Sequence, residues 1–167
     1  MKTLLIYHAG DELTRKGFAR WLGSFTDLVG IVEIHEDGTR AKQRIRAEVR
    51  RVGWLRFLFD VLPYRFFTRL AHAGGDHAWQ ARKLAELNAS CPELPGTLDV
   101  LETDSPNSEQ TREFIARLAP DMVVARCKTL IREEIFSLPP DGIIILHPGI
   151  CPEYRNAHGC FWALANN

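Results

Sequence analysis

Five short apolar runs, at residues 4–7, 28–35, 98–101, 122–125 and 143–146, alternate with segments of helical spacing. This alternation constrains the chain more than any other feature. Strands that are joined through helices pair in parallel, and the helices cover both faces of the sheet. Ile143-Ile144-Ile145-Leu146 has no polar alternation, the pattern of a strand covered on both sides. Between the runs, residues 11–22 place Leu13, Phe18, Trp21 and Leu22 at helical spacing, and Gly23 reads as the stop. Ser105-Pro106 reads as the N-cap and first position of a helix with Phe114, Ile115 and Leu118 on its apolar face. A short helix is expected around 132–136 and a last one over 158–166.

At 167 residues the chain reads as one domain, large enough to bury a core without covalent staples. Twenty-one Lys+Arg balance twenty-one Asp+Glu, which excludes a surface that is basic all over but not a local basic patch. Cys91, Cys127, Cys151 and Cys160 form no C-x-x-C pair and fit a reducing cytoplasm. The apolar run after Met1 is too short for a signal peptide, and no stretch of apolar residues would span a bilayer.

Parallel sheets place their sites at the carboxyl ends of the strands. Here that rule selects His8-Ala9-Gly10, Arg126-Cys127-Lys128 and His147-Pro148-Gly149. Gly10 stands alone, so the glycine fingerprint of a dinucleotide fold is absent, and so is a phosphate-binding Walker loop. His72 and His77 are poorly spaced for one helix face and lack further ligands, so no metal site is expected. His147 ends a buried strand and leads into a loop stiffened by Pro148 and Pro152. On the residues alone, a catalytic histidine and a rigid connector are both open.

The segment H-P-G-I-C-P-E-Y-R-N-A-H-G-C-F-W-A-L, residues 147–164, resembles the signature of the folate-dependent formyltransferases. Their pattern is N-x-H-x-S-L-L-P-x-Y-x-G followed by a helix. His147, Pro152, Tyr154 and the pair Ala163-Leu164 match it without gaps. The stretch D-M-V-V-A-R-C-K-T-L-I, residues 121–131, resembles the family's fourth strand and folate loop. The resemblance implies a Rossmann-like α/β catalytic domain over residues 1–167, which uses 10-formyltetrahydrofolate to formylate an amine. His147 would be catalytic. Lys128, Thr129, Leu130, Ile131 and Phe136 would bind the pteridine, and His8, Gly10 and Tyr154 would face the acceptor. Tyr154 and Arg155 could contact substrate, although packing of the loop Tyr on its neighbour is the favoured alternative; His158 could orient the site or equally cap the last helix; and Cys127 and Cys151 are expected to be inert small hydrophobes.

Two departures qualify the resemblance. The family asparagine falls on Ile145, which has no hydrogen bond to offer an oxyanion. Losing one such donor typically costs about 100- to 1,000-fold in rate. The hydrolase domain of formyltetrahydrofolate dehydrogenase is similar in having Ile-x-His here, so hydrolysis of the donor is an alternative, as is an inactive binding module. The family aspartate would lie beyond Asn167, so the domain is expected to be C-terminally incomplete. Gly149 and Asn156 replace the family Ser and Gly.

Residues 36–96 have no counterpart in the pattern, and about 39–90 read as a basic helical insertion. Nine Lys/Arg between 39 and 70 face only Glu48 and Asp60, and an aromatic stretch from Trp54 to Phe67 follows. Pro63 is expected to break the helix and Gly74-Gly75 to end it, with another helix over 76–89. The arginines could bind an anionic acceptor, with tRNA standing behind a small amine. The aromatics could lie on a membrane surface, but packing on the sheet is the reading preferred.

Overall fold

In the computed structural model, residues 1–35, 38–147 and 163–166 are described; within these, the side chains of 38–41, 43, 44, 68, 69, 72 and 73 are not. The five expected runs are strands: β1 (Lys2–His8), β2 (Asp27–Ile34), β3 (Asp99–Thr103), β4 (Met122–Arg126) and β5 (Ile143–Ile145). They form one parallel sheet of order β3-β2-β1-β4-β5, with β1 central. The chain order reverses beside β1, the position at which open α/β sheets leave a crevice.

The three central strands, β2, β1 and β4, are buried on both faces, which explains their apolar runs. On one face Leu4, Ile6, Val32, Ile34, Val123 and Ala125 meet Phe114 and Ile115 of α5 (Glu109–Leu118) and Ile135 of α6 (Glu133–Phe136). On the other face Leu5, Tyr7, Leu28, Ile31 and Val124 meet Ala19 and Leu22 of α1 (Ala19–Gly23). Successive residues of β1 thus serve opposite layers. Tyr7 is buried in the second layer, and its hydroxyl donates to Glu33 Oε2 at 2.9 Å across the β1–β2 ladder.

Four local readings need correction. β5 is the outer strand among those described, and Ile144 and Ile145 are about half exposed rather than covered on both sides. A π-helical stretch, Leu13–Phe18, replaces the first half of the expected 11–22 helix. Ser108, not Ser105, caps α5: its Oγ accepts from Thr111 N–H at 3.2 Å, while Ser105 Oγ accepts from Asn107 N–H and closes the turn before it. Pro106 therefore sits in that turn, where its fixed φ costs nothing.

The fourth correction concerns the basic segment. It folds as α2 (Gly38–Val52), α3 (Trp54–Arg56), a π-helical stretch Phe57–Val61 and a single long α4 (Leu62–Ser90). Pro63 lies in the first turn of α4, where its missing N–H is no loss. Gly74 and Gly75 lie inside the helix, where each costs about 0.5–1 kcal/mol relative to Ala without stopping it. The far end of α4 is moored to the sheet layer. A Cβ on Gly17 would stand 2.7 Å from Leu87 Cδ1, so glycine permits that approach. Arg20 donates to Asn88 Oδ1 and to the carbonyls of Cys91 and Pro92, satisfying the helix end. The expected last helix is seen only over 163–165; its earlier residues lie outside the described ones.

Candidate active site

A cleft of about 830 Å³ opens at the carboxyl ends of β1, β4 and β5. His8, Gly10 and Asp11 line it from β1, Arg126, Cys127 and Lys128 from β4, and Ile145, Leu146 and His147 from β5. Gln80 reaches it from α4. All three strand ends selected in the sequence therefore meet around one cavity. The parallel direction of the strands brings them there, because each strand runs toward the same edge.

The floor of the cleft is tied together by polar contacts. The N–H of Lys128 donates to His8 Nε2 at 2.9 Å, which joins the β1 turn to the loop after β4. His8 uses its Nε2 lone pair in this bond, so the neutral ring carries its proton on Nδ1. Gly10, at φ +85°, lets the chain turn away at once. Asp11 Oδ1 then accepts from Thr14 N–H at 3.0 Å and starts the next helix. Its second oxygen accepts from Arg126 Nη1 at 2.5 Å, and the same nitrogen donates to Thr14 Oγ1. The cleft wall thus holds a fixed ion pair between β4 and the turn after β1.

His147 and Lys128 are exposed at the cleft, free to meet a ligand. Cys127 is partly buried and donates through Sγ to the Thr129 carbonyl at 3.2 Å. Burial pushes its thiol above the ordinary range, so it is protonated near neutral pH and is a poor nucleophile.

The loop after β4 departs from the expected apolar wall. Among the described residues, Thr129, Leu130, Ile131 and Phe136 do not line the cleft. Ile131 is buried in the core beside Ile135, because the short connection to α6 turns it onto the sheet. Leu130 is 84% exposed and Phe136 is exposed on the outer side of α6. Asn107 fixes this loop: its Nδ2 donates to the Leu130 carbonyl at 2.9 Å and its Oδ1 accepts from Arg132 N–H at 2.8 Å. Tyr154, together with Cys151, Pro152, Arg155 and His158, lies outside the described residues.

Sequence reasoning did not single out Asp11, Gln80 or Asn107. Asp11 follows a selected strand end and could have been found there. Gln80 and Asn107 are distant in sequence and carry no local signal. Among the described residues no group of three His, Cys, Asp or Glu is placed to hold a metal, and no helix is long and apolar enough to cross a membrane.

No family model matches the chain. Individual proteins do. The chain is 34% identical over 65 residues to GDP-perosamine N-formyltransferase of Brucella melitensis, covering 38% of this chain and 25% of that protein. It is 33% identical over 70 residues to methionyl-tRNA formyltransferase of Thermotoga neapolitana, covering 41% of this chain and 22% of that protein. The Acetivibrio thermocellus methionyl-tRNA formyltransferase is 31% identical over 70 residues, with 40% and 22% covered. Over the matched residues the chain is similar to formyltransferases. The matched part spans at most about a quarter of the length of these relatives. The formyltransferase relationship joins proteins named for two unlike acceptors, a nucleotide-linked sugar and a charged tRNA.

Proposed function

We propose that this cleft is a formyl-transfer site that takes the formyl group of 10-formyltetrahydrofolate and passes it to a primary amine on a small, anionic acceptor. The observation that carries the reading is the meeting of His147 with His8, Arg126 and Lys128 around one cavity at the sheet's switch point. A volume of about 830 Å³ suits a ligand of folate size. Lys128 and the Asp11-paired Arg126 supply cations for carboxylate or phosphate groups, and Ile145 and Leu146 supply an apolar wall. Lys128 and the loop residues Thr129 and Leu130 would hold the donor, with Phe136 at the margin. Ile131 is given no such role. His8, Gly10 and Tyr154 would face the acceptor.

The donor supplies an activated formyl carbonyl. The amine nitrogen bonds to the formyl carbon, the C–N bond to the folate breaks, and the amine proton passes to the departing folate nitrogen. His147 can hold that proton in transit or donate to the developing oxyanion. The relative named for GDP-perosamine supports a nucleotide-linked amino sugar as acceptor; the relatives named for methionyl-tRNA make tRNA the other candidate. Residues 1–167 are taken as one catalytic domain with a helical insertion over about 39–90, working in the cytoplasm, where free thiols such as Cys91 and Cys127 persist.

One observation favours hydrolysis as a second reading. Ile145 stands in the cleft wall beside His147 and offers no donor to an oxyanion. The test is a paired assay with 10-formyltetrahydrofolate and a panel of nucleotide-linked amino sugars and methionyl-tRNA, following formylated acceptor and free formate together. Formylated acceptor that disappears in His147→Ala supports transfer. Formate alone, lost in the same variant, supports hydrolysis. Undiminished activity in His147→Ala overturns both.

A further inference from the structure

The helical segment outside the sheet presents a surface the formyl-transfer reading does not use. The sequence reading packed its aromatics on the sheet; only Phe57 is buried. Trp54 is 62%, Phe59 69%, Phe66 68% and Phe67 71% exposed, with Leu55, Leu58, Leu62, Tyr64 and Leu70 exposed around them. Leu55, Phe59, Leu62, Phe66 and Leu70 recur at intervals of three or four through α3, the π-helical stretch and the start of α4, a spacing that gathers them toward one side of the segment. An apolar patch of this size, left in water, marks an interaction surface.

Cations border it. Lys42, Arg46, Arg50, Arg51, Arg56 and Arg65 are exposed, against two acids, Glu48 and Asp60. Glu48 is already engaged by Arg51 at 2.6 Å and by Arg65 at 4.0 Å, and the Arg65 contact draws α2 alongside the start of α4. The surface is therefore an apolar, aromatic patch with a positive margin.

We propose that this surface docks the protein, without spanning, onto an anionic lipid bilayer. Aromatic and leucine side chains enter the boundary between headgroups and acyl chains, while arginines meet lipid phosphates. Each cation near an anionic membrane adds to the attraction, which salt weakens. Charge decides against the other occupants. A second copy would set one positive margin against another, which disfavours pairing. An RNA would engage the arginines but leave Leu55, Leu58, Leu62 and Leu70 with no partner. α4 also reaches the cleft at Gln80, about 15 Å along its axis from Leu70 by helical rise.

The experiment is co-sedimentation of the intact protein with phosphatidylcholine vesicles, with and without phosphatidylglycerol. Binding to the anionic vesicles alone is expected, reduced at high salt. The double variant Phe66→Asp, Phe67→Asp should lose about tenfold or more in binding. Both sites are exposed, so its circular dichroism and melting should match the parent. Arg46→Ala with Arg50→Ala should weaken binding several-fold, most visibly at low salt. Three results would overturn the proposal: no preference for anionic vesicles, undiminished binding by the double Phe variant, or a dimer that the double variant dissociates while vesicles are ignored. RNA binding that survives the double Phe replacement, with no vesicle binding, would assign the surface to nucleic acid. Formyl transfer to a soluble acceptor is a separate readout, so neither proposal stands or falls with the other.

Discussion

The N–H of Lys128 donates to Nε2 of His8 across 2.9 Å, and this bond ties the end of β1 to the loop that follows β4. The ladder pairs β1 with β4 as far as Tyr7 and Arg126, and this side-chain bond continues the link beyond it. A net contribution of about 0.5–1.5 kcal/mol is ordinary for such a bond. His8→Ala should therefore raise hydrogen exchange at the Lys128 amide by up to about tenfold. Amides in the centre of β1 should be unaffected. Unaltered exchange at Lys128 would show that the loop is held by Asn107 and Cys127 alone.

Ile145 is 54% exposed at the cleft, so a polar replacement there buries no amide and should cost well under about 1 kcal/mol. A strand covered on both sides would have made that replacement costly; the exposure of β5 removes the cost. Ile145→Asn would place a donor two residues before His147. In a transferase limited by oxyanion stabilisation, acceptor formylation should rise by about 10- to 100-fold over the parent. Formate release with no gain in transfer would mark a hydrolase. Side-by-side measurement of the two products separates them.

Tyr7 and Glu33 form a buried pair in the sheet layer. Burial, reinforced by the hydrogen bond to Glu33, holds the Tyr7 hydroxyl well above its ordinary value of 10.0. A raised folded value means that the protonated hydroxyl stabilises the fold below pH 10.0, and that this stability is lost as pH rises beyond it. The urea midpoint should fall as pH climbs above 10. Tyr7→Phe should lower stability at neutral pH by about 1–3 kcal/mol, because Glu33 loses its donor, and should flatten the alkaline decline. A decline of equal steepness in Tyr7→Phe would assign it to other groups.

Cys127 should react slowly with iodoacetamide at pH 7, since burial keeps its thiol protonated. The rate should rise with pH past the free-thiol range of about 8.5 without levelling there. A folate bound in the cleft should slow it further, because Cys127 lines that wall. Mass spectrometry of the labelled peptide distinguishes Cys127 from the other three cysteines. Fast labelling at neutral pH would mean an activated thiolate and would reopen a nucleophilic role.

The amino-acid sequence alone determined the sheet. Short apolar runs between helical segments mark strands, so 4–7, 28–35, 98–101, 122–125 and 143–146 stand out without any long-range knowledge, although only the central ones are covered on both sides. Parallel pairing then fixes the edge at which His8, Arg126 and His147 gather, so the cleft was legible too. What the sequence could not hold were decisions made by neighbours distant in the chain. Ile131 and Leu130 are equally apolar, but only Ile131 finds the core, because the turn into α6 points one side chain inward and the next outward. Gly74-Gly75 fails to stop α4, since Arg20 and the Gly17 approach anchor the far end and outweigh a local cost of about 0.5–1 kcal/mol per glycine. The aromatics from Trp54 to Phe67 read as core because burial is the usual fate of such residues. The tertiary structure leaves them in solvent, on helices whose contact with the sheet layer is made by the far half of α4.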